Sequence, residues 1–121
     1  MLHMYAFEKL EVWQSSKELV LDIYRLSKLF PPEEKFGLSS QLRRAAISIS
    51  SNLAEGSSRP TGKDQAHYSS IAYGSLMETL NQLIISNELE YITKTDLLML
   101  RAQIHKISNQ INALRRWQLN K

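Results

Sequence analysis

Residues 97–114 read LLMLRAQIHKISNQINAL, and their spacing decides the fold. Leu97, Leu100, Ile104, Ile107, Ile111 and Leu114 are separated by 3, 4, 3, 4 and 3 residues, an unbroken heptad seam. An α-helix repeats every ~3.6 residues, so this spacing lines all six side chains along one stripe that must be buried against other helices. Thr95 is the expected N-cap of this segment.

Working back from that seam, 4 glycines and 3 prolines divide the rest of the chain into three more helical segments. One is expected from about Phe7 to Leu29, with Leu10, Trp13, Val20, Ile23, Ser27 and Phe30 at three-and-four spacing and Leu19 and Leu26 widening the stripe. Pro31 and Pro32 end it, because proline lacks a donor N–H and disfavours helix in the residue before it. The next segment is expected to start near Glu33, bury Leu38, Leu42, Ala45, Ala46, Ile49 and Leu53, and close at Gly56–Gly62. The third runs from about Lys63 to Leu89 with Ile71, Ala72, Leu76, Leu80 and Leu83 inward, and Gly74-Ser75 is small enough to admit another backbone. No stretch reads as a strand. Residues 1–121 are therefore expected to form one all-α domain, an antiparallel up-down four-helix bundle.

Composition narrows the function classes. A chain of 121 residues buries roughly two-thirds of its unfolded surface and needs no staple. With 0 cysteines it has neither a disulfide scaffold nor thiol chemistry nor a cysteine-based zinc site. There is no 18-residue apolar run and no basic-then-apolar leader at Met1–Ala6, so the expected location is cytoplasmic, without membrane contact. His3, His67 and His105 lack ligand spacing, the Gly56–Lys63 stretch lacks phosphate-loop spacing, and no nucleophile elbow occurs. These readings predict a non-enzymatic protein without cofactor or metal.

Charge comes in blocks. Residues 35–63 carry five cations and one acid, and residues 97–121 carry five cations and none, while residues 64–96 hold five acids and one cation. Such blocks either pair within the assembly or face a polyanion.

The run Ser48–Arg59, SISSNLAEGSSR, sharpens this choice. Serine and asparagine compete for backbone hydrogen bonds and are mediocre inside helices, so several on one face imply a use. As a phosphate track, Arg43, Arg44, Arg59 and Lys63 would supply cations and the small polar residues would donate hydrogen bonds. As a polar seam between helices or subunits, Ser48, Asn52, Glu55 and Glu78 would be the members, with Arg43 or Arg44 pairing with Glu55 or Glu78. The number of small residues favours the seam. On the last segment, Arg101, Lys106, Arg115 and Arg116 form a second candidate nucleic-acid surface; the helix dipole alone also favours Arg115 and Arg116 at that end. Trp117 beside them could stack on a base, but an aromatic at this place is the better fit to a subunit contact.

Several motifs occur in order: Trp13-Gln14, the corner Phe30–Leu38, Gln41–Ala46, Ser48-Ile49 to Ser51–Gly56, and Gly74-Ser75 with Glu78. From Phe7 to Leu114 the chain resembles the bacterial four-helix-bundle proteins encoded in intervening sequences of 23S ribosomal RNA genes, also called S23 ribosomal proteins. The resemblance implies a closed homo-oligomer, a pentamer with a central channel. A similar relative, the accessory variability determinant of diversity-generating retroelements, is a basic pentamer that binds nucleic acid and a reverse transcriptase. The expected function is thus a nucleic-acid-binding accessory role toward RNA or DNA. The alternative is a scaffold for a protein partner such as a reverse transcriptase. In many relatives glycine follows the third helix where this chain has Glu90, a departure that weakens the expectation of a left-handed cap there.

Overall fold

The computed structural model describes residues 1–121. It contains four helices, α1 (Glu11–Ser27), α2 (Leu38–Ser57), α3 (Gly62–Glu88) and α4 (Lys94–Leu119), and no strand. Short 3-10 turns at Ala6–Lys9 and Pro32–Glu34 precede α1 and α2. Each helix packs against two others: α2 and α4 both touch α1 and α3, and the α2–α3 interface is the largest. No helix is long and apolar enough to cross a membrane.

One core draws on all four helices. Leu19 and Ile23 of α1, Leu42 and Ile49 of α2, Leu76 and Leu83 of α3, and Leu100, Ile107 and Ile111 of α4 are fully buried within it. Each such side chain contributes ~1.5–3 kcal/mol relative to exposure. On α4 the heptad seam forms the buried stripe, with Leu97 and Leu114 half-buried at its ends.

The boundaries differ from expectation where local chemistry intervenes. Leu10 is extended (φ −75°, ψ 122°), so α1 starts at Glu11, and Ala6–Lys9 folds instead as a turn held by Tyr5 N–H donating to Glu8 Oε2 at 2.8 Å. The segment before α2 breaks because Gly37 adopts φ −111°, ψ −115°. Glu34 then reaches forward to accept the Leu38 N–H at 3.1 Å, which makes Leu38, not Glu33, the first residue of α2. The cap of α4 is Thr93 rather than Thr95. Its hydroxyl accepts the Asp96 N–H at 3.0 Å while Asp96 Oδ2 accepts the Thr93 N–H at 3.4 Å, a reciprocal capping box.

Two corrections concern α3. Ile71 is exposed, not inward. The buried stripe is Ser69, Ala72, Leu76, Thr79, Leu83 and Ser86, itself spaced 3, 4, 3, 4 and 3. Three of its members are hydroxyl residues and so escape a search for apolar periodicity. Hydrogen bonds offset the cost of burying them: Thr79 Oγ1 donates to the Ser75 carbonyl at 2.8 Å, Ser86 Oγ to the Gln82 carbonyl at 2.7 Å, and Ser69 Oγ to Gln118 Oε1 at 2.7 Å. Gly74 meets nothing within 4 Å of where a Cβ would lie. The close approaches occur instead at Gly56, whose Cβ would lie 2.7 Å from Tyr68 Cβ, and at Gly62, whose Cβ would overlap the Gln118 carbonyl.

A third correction lies at the end of α3. Glu90 sits in the left-handed region at φ 65°. The Glu90 N–H donates to the Asn87 carbonyl and the Tyr91 N–H to the Ser86 carbonyl, both at 2.9 Å, which is the Schellman pattern. The left-handed cap is therefore present despite the absence of glycine.

Candidate nucleic-acid interface

The eight candidate cations do not form one surface. On α2, Arg43 turns toward α1: its Nε donates to Ser27 Oγ at 2.7 Å and its guanidinium lies 4.7 Å from the Tyr24 ring. Arg44, one residue on, is exposed in a cleft of about 480 Å³ between α2 and α3, shared with Ser48, Gln41 and Glu78. Neither arginine pairs with Glu55 or Glu78, contrary to the expected ion pairs. The two ion pairs present are Arg25–Asp22 and Arg59–Glu55. Glu78 is instead exposed and accepts only a long contact from Gln82 Nε2, at 3.4 Å.

Of the small polar residues of α2, Ser48 reaches α3 and Asn52 braces it from within α2. Ser48 Oγ and Ser75 Oγ are 2.8 Å apart across the α2–α3 interface, and Asn52 Nδ2 donates to both the Ser48 carbonyl (2.8 Å) and its hydroxyl (3.0 Å). Glu55 belongs to a separate cluster one turn on. There Arg59 donates to Glu55 Oε1 at 2.9 Å and to the Tyr68 hydroxyl at 2.6 Å, with the guanidinium 4.8 Å from that ring. Arg59 thus ties the end of α2 to the start of α3.

On α4 the cations diverge around the helix. Lys106 lines a cleft of about 580 Å³ together with Glu8, Glu11 and Glu18, so it faces acids of the N-terminal region. Arg101 borders a smaller cleft, of about 380 Å³, on the α3 side with Met77, Leu80 and His105. Arg115 also leans toward α3, its Nε donating to Ser70 Oγ at 2.8 Å. Arg116 is exposed.

What the fold does bring together is one end of the molecule. The start of α3 abuts the end of α4 through Gly62 and the Gln118 carbonyl, and through Ser69 and the buried Gln118 side chain. Lys121 Nζ donates to Gln65 Oε1 at 2.6 Å, and Gln65 Nε2 in turn donates to the Arg59 carbonyl at 2.9 Å. Lys63, Arg115, Arg116 and Lys121 therefore share this end with the acid Asp64. Gln65, Ser70 and Gln118, which hold the arrangement, were not singled out by sequence reasoning. Gln118 had a signal, since it continues the α4 heptad four residues after Leu114. No group of three or more His, Asp or Glu side chains comes close enough to hold a metal ion.

The order of the helices, the Phe30–Leu38 corner and the α2 seam can be set beside known proteins. The model of the 23S rRNA-intervening sequence proteins matches residues 8–113. The chain belongs to that family. As a 23S rRNA-intervening sequence protein it shares its fold with a solved structure from Bacteroides thetaiotaomicron, a protein of unknown function from the S23 ribosomal protein family. The two superpose with a TM-score of 0.80 at 25% identity, over 87% of this chain and 95% of that one. No curated protein matches the 23S rRNA-intervening sequence protein described here.

Proposed function

We propose that this protein is a non-enzymatic accessory protein of the cytoplasm that binds RNA or DNA as a closed homo-oligomer, most simply a pentamer of up-down four-helix bundles. The observation that carries the reading is the basic end, where Lys63 at the start of α3 lies with Arg115, Arg116 and Lys121 at the end of α4. Repeated around a rotation axis, such an end becomes a ring of positive potential that attracts a polyanion. Alternating helix direction is supported by cross-helix pairs whose numbers run in opposite senses, as in Ser48–Ser75 beside Gly56–Tyr68 and Ser69–Gln118 beside Gln65–Lys121. The homo-oligomer is what the family resemblance implies.

The reading is tested by binding of labelled RNA and DNA across a salt series, with particle mass measured by light scattering. Each phosphate neutralised releases counterion, so log affinity should fall linearly with log salt, and replacing Lys63, Arg115, Arg116 and Lys121 together should abolish binding without loss of helicity. Absence of binding by micromolar protein at ~50 mM salt would overturn it, and a particle that remains at 14.0 kDa would remove the ring.

A second reading, a scaffold for a protein partner such as a reverse transcriptase, is favoured by the adjacent exposed apolar side chains Leu98 and Met99 near the start of α4. Capture of a partner that survives nuclease treatment would select it.

A further inference from the structure

We infer that the Trp117 indole is a stacking platform for an unpaired base, so that the basic end takes single-stranded nucleic acid in preference to duplex. The inference rests on the nucleic-acid reading and adds the form of the ligand. The two tryptophans of the chain are used differently. Trp13 is half-buried, packed edge-on against Phe7 at 5.0 Å and joined to the core. Trp117, in the last turn of α4, is 61% exposed, and its close ring neighbour is a cation, Lys121 Nζ at 4.2 Å from the ring centroid.

The backbone that carries this indole is fixed. Gln118, the next residue, is 4% exposed and bonded to Ser69, and its carbonyl packs so tightly on Gly62 that no Cβ fits between them. Lys121 is held in turn by Gln65. An aromatic face presented on a rigid support loses little freedom when a base stacks on it. Further cations that a phosphate backbone requires lie at the same end of the molecule: Lys63 and Arg116 are exposed, and Arg115 uses only its Nε on Ser70. Stacking needs a base free of its own stack. A duplex offers this end its phosphates but not its base faces, whereas a single strand offers both.

The test uses the full chain with a fluorescein-labelled 12-mer adenylate RNA, alone and annealed to a 12-mer uridylate. The single strand should bind more tightly than the duplex. Trp117→Ala should weaken single-strand binding roughly tenfold or more and leave duplex binding unchanged, while Trp117→Phe should restore most of the loss. In a Trp13→Phe background, where Trp117 is the remaining emitter, the unlabelled single strand should quench fluorescence. Because Trp117 lies on the surface, its variants should retain the parent's helicity. Equal affinity of parent and Trp117→Ala for the single strand overturns the inference, as does a change in particle mass with unchanged affinity, which would make the indole a subunit contact. If Trp117→Ala binds like the parent while the four-cation variant does not, the nucleic-acid reading stands and this inference falls. If the parent binds neither RNA, nor the corresponding single-stranded and duplex DNA, both fall.

Discussion

At residue scale, Glu90 shows how a fold can impose a conformation that its sequence disfavours. An L-residue in the left-handed region sets its Cβ against its own carbonyl, at a cost of roughly 1–2 kcal/mol, and glycine avoids that cost. Glu90 accepts it because the two Schellman hydrogen bonds and the Tyr91 contacts beyond fix the turn. Glu90→Gly should therefore stabilise the protein by about 0.5–1 kcal/mol, after allowing for glycine's greater freedom in the unfolded chain, measured as a shift in the urea midpoint. No gain would mean that Glu90 makes a compensating contact. The next residue carries a pH dependence. Tyr91 donates its phenol to Glu34 Oε2 at 2.9 Å, and this bond, followed by partial burial and repulsion from Glu34 and Glu33, raises its pKa above the usual value near 10. A raised pKa favours the neutral phenol in the folded state. The stabilisation is complete below about pH 10 and is lost as pH climbs through the folded value. Tyr91→Phe should melt below the parent at neutral pH, and the gap should close in strongly alkaline buffer.

At the scale of helices, the capping and close-contact residues offer paired tests. Thr93→Ala removes the α4 cap and should cost ~1 kcal/mol, whereas Thr95→Ala, at the second residue of the helix, should be nearly neutral in thermal melts. Gly62→Ala drives a methyl into the Gln118 carbonyl, where both sides are backbone, and should cost about 1–3 kcal/mol. Gly74→Ala meets open space in a helix interior and should instead stabilise by roughly 0.5–1 kcal/mol, so the two alanines should move the denaturation midpoint in opposite directions. The elements themselves were legible in the sequence because proline, glycine and apolar spacing act locally. α4 was read almost completely, since its seam consists of leucine and isoleucine. The α3 seam was misread by its side chains: Ser69, Thr79 and Ser86 qualify for burial only through bonds to carbonyls and to Gln118 that no periodicity reveals.

At the scale of the molecule, the candidate site was half legible. Composition identified which quarters of the chain are basic, but helix rotation decides which cations meet. Successive residues on a helix point ~100° apart, so Arg43 and Arg44 face different neighbours, and Lys106 points away from Arg101. The convergence of Lys63 with Lys121 depends on how α3 and α4 cross, information that neither segment holds alone. The small side chains along the α2–α3 contact have a consequence for the order in which the molecule opens. Where serine, alanine and glycine line an interface, two backbones approach closely and shield each other's amides from water. Hydrogen–deuterium exchange should accordingly be slowest in the middle of α2 and α3, around Leu42–Leu53 and Ala72–Leu83, with α1 released earlier because it shares less surface with its neighbours. Amides of α1 that outlast those of α2 would show that the most durable pairing lies elsewhere, and that this hairpin is not the last part of the protein to come apart.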